Sequence, residues 1–231
     1  MANKPSTSQR ILQASLQLFN EQGERNVTTN HIASHLNISP GNLYYHFRNK
    51  SMIVAELFSE FERKMETFLR LPQATPLTLE HKARYLESLL DILWQFRFMH
   101  QSLEYLLEAD PALAARYQQF AQRSLRGTQA IYQAFADAGI LLLSPQQAET
   151  LSINVWIVLG SWMQFLSTTV GIQARLDERL LRRGIYQILM LEEGYVAPNY
   201  QEAVRALCDR LYVPMEELSA AGGLVPASPS Q

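Results

Sequence analysis

The 231 residues carry 20 Lys+Arg against 22 Asp+Glu, five His and one Cys, and 47% of them are hydrophobic. That balance supports a buried core and excludes wholesale disorder, while ten Gly and ten Pro are too few for a collagen-like, low-complexity or turn-rich all-β chain. The single Cys208 excludes an internal disulfide framework and a cysteine-based zinc cluster, so neither cofactor nor metal is expected. Met1 to Arg10 contains no apolar stretch, so no secretory signal is expected and a cytoplasmic location is the default.

Charge is unevenly distributed. Residues 1–50 hold Lys4, Arg10, Arg25, Arg48 and Lys50 against Glu21 and Glu24. This cationic start precedes an acidic remainder, the arrangement expected when only the N-terminal part meets a polyanion.

The pattern is helical almost throughout. Ser8 to Gln22 carries Ile11, Leu12, Leu16, Leu18 and Phe19 at helical spacing, and Gly23 ends that run as a C-terminal glycine does. Thr28-Thr29 offer capping hydroxyls for a short helix with Ile32, Ala33 and Leu36. Ser39-Pro40, a cap followed by proline at the first helical position, starts another that ends near Phe47. Ile53, Leu57, Phe61, Met65 and Phe68 mark a longer helix. Pro72 and Pro76 break it, and Thr75 to Thr78 reads as a linker. Further helices are expected over Leu79–Phe96, Gln101–Ala109, Pro111–Ala138, Pro145–Gly171, Asp177–Leu191 and Tyr200–Leu211. The tail, rich in Ala, Gly, Pro and Ser, is expected to be disordered from about residue 216.

Thr150 to Ala174 contains no charged residue, yet Ser152, Asn154, Ser161, Gln164, Ser167, Thr168 and Thr169 are scattered through it. Those hydroxyls and amides favour a helix enclosed by other helices over one that crosses a membrane.

Two short helices joined at Asn37-Ile38-Ser39 form a helix-turn-helix. Ile32, Ala33, Leu36, Ile38, Leu43 and Phe47 are its expected core. Between them lie Asn30, His31, Asn42, Tyr44, Tyr45 and His46, hydrogen-bonding types where a merely solvated face would carry Glu and Lys. The second helix suits a DNA major groove. Its free N-terminal N–H groups favour phosphate, with Ser39 and Pro40 at that end. Gly41 removes bulk where backbone and duplex meet. Tyr44 and Tyr45 can donate to phosphate, Lys50 can neutralise one, and Asn30 and Asn42 can read a base edge. Tyr45 is equally readable as core, and His46 as an ordinary surface histidine. His31 and His35 have metal-pair spacing but no third ligand nearby.

The span Ile11–Phe19, Gly23, Val27-Thr28-Thr29, Ile32-Ala33 and above all Leu43-Tyr44-Tyr45-His46-Phe47-Arg48-Asn49-Lys50 resembles the DNA-binding domain of the tetracycline-repressor (TetR) family of transcriptional regulators. The resemblance implies an all-α homodimer that binds double-stranded DNA. It implies a three-helix helix-turn-helix domain (1–50), a linking helix (51–70) and a larger helical effector-binding and dimerisation domain (71–215). It also implies phosphate contacts by Thr29, Tyr44, His46 and Lys50, and base or backbone contacts by Asn30, Pro40, Gly41 and Asn42; Thr28 stands beside them. Family members often carry Arg or Lys near the position of Asn30, so a strong guanine contact there is not expected.

Tyr85 to Phe120 is aromatic and apolar. Trp94, Phe98, Tyr105, Tyr117 and Phe120 are candidates to line a pocket for an apolar small-molecule effector, or are plain core; composition does not separate the two. Phe96–His100, Leu106-Leu107 and Asp110–Leu113 are similar to the regulatory domain of one TetR-family subgroup described as bacterial transcriptional repressors. Leu151, Val155, Leu159, Trp162 and Leu166, with Ile185 and Leu189, are candidates for a four-helix dimer interface; burial within one chain is the alternative. No nucleophile–base pair, phosphate loop or paired-carboxylate signature suggests an enzyme. The reading is therefore a DNA-binding regulator, a repressor released by an effector. A ligand-independent regulator or activator would share the same head; an all-α enzyme or membrane-associated protein is the distant rival.

Overall fold

A computed structural model describes residues 5–71, 77–166, 168–169 and 178–214. Ten α-helices run in order among them: α1 Thr7–Gln22, α2 Thr29–His35, α3 Pro40–His46, α4 Lys50–Phe68, α5 Leu79–Gln95, α6 Arg97–Ala109, α7 Pro111–Asp137, α8 Pro145–Leu166, α9 Glu178–Glu192 and α10 Gln201–Leu211. No strand occurs among the described residues, and one isolated antiparallel bridge joins Leu141 to Val196. The fold is all-α.

Side-chain caps explain where the helices start. Ser6 and Gln9 form a reciprocal capping box at α1. Thr28 and His31 do the same at α2: the Thr28 hydroxyl accepts the His31 N–H at 3.2 Å, and His31 Nδ1 accepts the Thr28 N–H at 3.4 Å. Thr78 and His81 repeat the device at α5. Asp110 Oδ1 accepts the N–H groups of Ala112 and Leu113 at the start of α7.

The described residues group into two compact units that do not follow the linear division expected from the sequence. One combines residues up to 67 with 95–121; the other combines 68–94 with everything from 122. In the first, α6 and the start of α7 pack with α1 to α4. Phe58 and Phe61 of α4 meet Phe96, Tyr117 and Phe120 with ring centroids 5.4–6.0 Å apart, and Phe19 meets Phe98 at 5.3 Å. Each buried aromatic contributes about 1.5–3 kcal/mol by leaving water. Arg116 donates to Glu62 at 2.5 and 2.9 Å and to Ser59 at 2.9 Å, tying α7 to α4.

In the second unit, buried Lys82 pairs with Glu192, and Tyr132 donates to the other carboxylate oxygen at 2.7 Å. Trp162 of α8 donates its indole N–H to the Leu180 carbonyl at 2.7 Å. It lies against Gly184 of α9, where a Cβ would come within 2.9 Å of the indole ring.

The start of one helix differs clearly from expectation. α6 begins at Arg97, four residues earlier than read, for a reason that lies in α1 (below). Single 3-10 turns occupy Glu24–Asn26, Glu193–Tyr195 and Pro198–Tyr200. The expected end of α8 near Gly171, the start of α9 at Asp177, Pro72 and Pro76 with part of the linker, and the tail lie outside the described residues. No described helix is long and apolar enough to cross a membrane.

Candidate nucleic-acid interface

The turn between α2 and α3 is a Schellman closure. Asn37 has φ +53°. The Ile38 N–H returns to the Ala33 carbonyl at 3.0 Å and the Asn37 N–H to Ser34 at 3.1 Å. Asn tolerates this left-handed backbone better than other non-glycine residues. Ser39 then caps α3, accepting the Asn42 N–H at 3.2 Å, and Pro40 occupies the first helical position.

Burial divides α3 by face. Leu43 and Phe47 are buried, as are Ile32 and Ala33 of α2, while Leu36 and Ile38 are half-buried. Pro40, Gly41, Asn42, Tyr44 and Tyr45 are exposed, as are Thr28, Asn30 and Ser39. Tyr45 is 86% exposed, which removes its reading as core. Its ring meets His46 edge-on at 5.2 Å. Tyr44 shares a hydrogen bond with Thr29, hydroxyl to hydroxyl, at 3.1 Å. At Gly41 an added Cβ would meet only the Ser39 hydroxyl, at 4.0 Å. Nothing inside the chain therefore needs glycine there; the small residue keeps the outer surface of α3 low.

Lys50 is more constrained than the sequence implies. Its ammonium lies 2.8 Å from the Glu24 carboxylate and 2.9 Å from the Glu24 carbonyl. Glu24 is buried, and its second carboxylate oxygen has no partner among the described residues. An ammonium has three donors, so one N–H of Lys50 is left to reach outward. Sequence reasoning missed Glu24, because nothing local marks an acid as the anchor of a lysine 26 residues away. The same unit shows what His31 does: it closes the α2 capping box.

Tyr117 and Phe120 share a ring contact at 5.9 Å. Phe98 is buried against Phe19. Tyr105 is 39% exposed, with the Arg25 guanidinium 4.0 Å over its ring. Trp94 is half-buried. Burial pushes the Tyr117 hydroxyl up to about 12. His100, an isolated and ordinary histidine by sequence, is half-buried with its Nε2 enclosed. Its ring meets Phe61 edge-on at 5.9 Å, its Nε2 has no hydrogen-bond partner among the described residues, and burial lowers its pKa to about 4.

The candidate dimer residues also need correction. Leu151, Val155, Leu166, Ile185 and Leu189 are buried inside the protomer, and Trp162 is held by Leu180 and Gly184; Leu159 is half-buried. A face already covered by its own chain cannot also meet a partner. The apolar residues left exposed are Ile153, Ile157 and Phe165 of α8 and Leu191 of α9, and Gly160 beside them faces open space. Because α8 is apolar on every side, spacing alone could not choose the outer face.

Comparison with known proteins places this geometry. Residues 11–57 match a family model described as bacterial regulatory proteins of the TetR family, and residues 60–204 match one described as bacterial transcriptional repressor. A TetR-family transcriptional regulator from Marinobacter aquaeolei VT8 is 47% identical, with a TM-score of 0.82 over 90% of this chain and all of that one. SmeT, solved in complex with triclosan, shares the fold at 17% identity and TM-score 0.56, covering 98% of this chain and 100% of its own. An HTH-type transcriptional regulator of Staphylococcus aureus (strain bovine RF122 / ET3-1) is 33% identical over 44% of this chain. The chain spans about half the length of such curated relatives, 53% in that case.

Proposed function

The chain belongs to the TetR family of bacterial transcriptional regulators, and from that premise we propose that it represses transcription as a homodimer. Each α3 lies in a major groove of a near-palindromic operator, and an uncharged apolar effector releases it. The observation that carries the DNA-binding part is the outer face of α3: Gly41, Asn42, Tyr44 and Tyr45 stand exposed over buried Leu43 and Phe47. Asn42 and Asn30 supply base-edge hydrogen bonds; Thr28, Thr29, Ser39, Tyr44, His46 and the third N–H of Lys50 supply phosphate contacts. Two such heads, about 34–36 Å apart, fit successive turns of B-DNA.

Dimerisation uses the face of α8 and α9 bearing Ile153, Ile157, Phe165 and Leu191, with Gly160 permitting close approach. The effector reading is supported by the aromatic cluster of Phe58, Phe61, Phe96, Tyr117 and Phe120, and by a fold relative that binds triclosan. A bound effector acts by preferring a state in which the head separation no longer fits the operator. α4, which continues from Lys50 directly behind the helix-turn-helix to Phe68, transmits that change.

Selection of duplexes from a random DNA pool by the purified protein tests the reading. Enrichment of a near-palindrome with two half-sites supports it; recovery of no sequence above bulk DNA overturns it.

A further inference from the structure

The helix break at Phe96 is closed from another helix. Phe96 is the N-cap of α6 and has no side chain able to cap. Asn20, in the last turn of α1, supplies what is missing. Its Oδ1 accepts the Phe98 N–H at 3.1 Å, and its Nδ2 donates to the Gln95 carbonyl, the last of α5, at 2.8 Å. One amide thus satisfies an orphan donor at the start of α6 and an orphan acceptor at the end of α5. No hydrogen-bonding side chain other than Asn offers both groups at that length, Asp lacking the donor and Gln being one carbon longer.

Three neighbours reinforce this contact. The Phe19 and Phe98 rings lie 5.3 Å apart. The Arg25 guanidinium sits 4.0 Å over the Tyr105 ring. Arg97, at the first position of α6, lies within electrostatic reach of the Glu21 carboxylate of α1. All four partners in the N-terminal helices fall between Phe19 and Arg25, immediately before α2. All the partners on the other side fall between Gln95 and Tyr105.

We propose that Asn20 is a positioning residue for DNA binding: it locks α1 to the start of α6, and so fixes the direction in which each head presents α3. This rests on the operator-binding reading above and adds a second mechanical connection to α4. In a dimer, head direction sets the half-site separation the protein accepts. Loosening Asn20 therefore relaxes spacing selectivity, whereas a residue that merely supports folding would lower affinity for every spacing alike.

The test uses the full-length dimer and the duplex recovered by selection, together with versions carrying one base pair more or fewer between half-sites. Affinities are measured for the native protein, Asn20→Ala and Tyr105→Ala. Tyr105 lies at the exposed end of the same contact, so its truncation is tolerated even where Asn20→Ala does not fold. The native protein is expected to discriminate sharply between spacings. The ratio of affinities for the best and altered spacings is expected to fall by about threefold to tenfold in Asn20→Ala, the worth of one net hydrogen bond, and by about twofold to fivefold in Tyr105→Ala, the worth of one exposed cation–π contact. An unchanged ratio in the folded variants, with affinity reduced equally on all duplexes, overturns the positioning role and leaves the regulator reading intact. Failure of the native protein to select any duplex overturns both.

Discussion

Lys50 and Glu24 hold one another: the ammonium lies 2.8 Å from the buried carboxylate and 2.9 Å from the same residue's carbonyl. The lysine nearest the helix-turn-helix is thus a structural partner as well as a candidate phosphate contact. Lys50→Ala leaves a buried carboxylate without its counter-charge. The cost is about 1–3 kcal/mol, below the value for a fully buried pair because the lysine side chain is 29% exposed. Lys50→Met combined with Glu24→Gln removes the orphaned charge. Its expected outcome is near-native thermal stability, with operator affinity still reduced and the salt slope of binding shallower by about one unit. Restored affinity in the double variant would show that Lys50 acts only through the fold.

Asn37 closes the α2–α3 turn at φ +53°. Asn37→Val places a β-branched residue in the left-handed region and is expected to cost about 1–2 kcal/mol. Asn37→Gly should match or exceed the native stability, since glycine is preferred at this position. Urea unfolding of the two variants checks the ordering.

Gly184 and Trp162 set how closely α9 approaches α8. Gly184→Ala would bring a methyl carbon to 2.9 Å from Trp162 Nε1, the atom that donates to Leu180. Overpacking by about 1–3 kcal/mol outweighs a helix-propensity gain of up to about 1 kcal/mol, so the variant should melt lower. A higher melting temperature would mean that the indole moves freely.

Ile157 is 55% exposed on α8, so Ile157→Glu should leave the protomer folded. It should shift the sedimentation profile from dimer toward monomer. Leu189→Ala, at a fully buried position, should instead cost about 2–5 kcal/mol of folding stability. A fully dimeric Ile157→Glu protein would place the partner elsewhere.

His100 makes stability depend on pH. Burial holds its folded pKa at about 4, below the ordinary value of about 6.5, so the unfolded chain binds the extra proton first. Its contribution is neutral above about 6.5 and increasingly destabilising as pH falls toward about 4, by up to roughly 3 kcal/mol. His100→Leu removes an orphaned polar atom and should flatten that part of the stability profile. An equal acid sensitivity in the variant would assign the effect to other groups.

Much of the fold was legible because its signals are local. Ser39-Pro40 and Thr28-Thr29 announce helix starts by hydrogen bonds within three residues, and the structure shows those bonds. The start of α6 was not legible, because its cap is Asn20, 78 residues away from Phe98. The outer surface of α3 could be read from the contrast between buried Leu43 and polar neighbours. The Glu24 anchor of Lys50 could not, since it is a tertiary pairing. The dimer stripe was assigned to the inner side of α8 because a helix apolar all round gives spacing nothing to discriminate.

Methylation interference at guanine N7 on the selected duplex reads out whether two copies of α3 occupy neighbouring major grooves. Two patches of interference are expected on one side of the duplex, about 10 base pairs apart, with the pattern at one base altered in Asn42→Ala. Binding unaffected by N7 methylation, or a single patch, would rule out that arrangement.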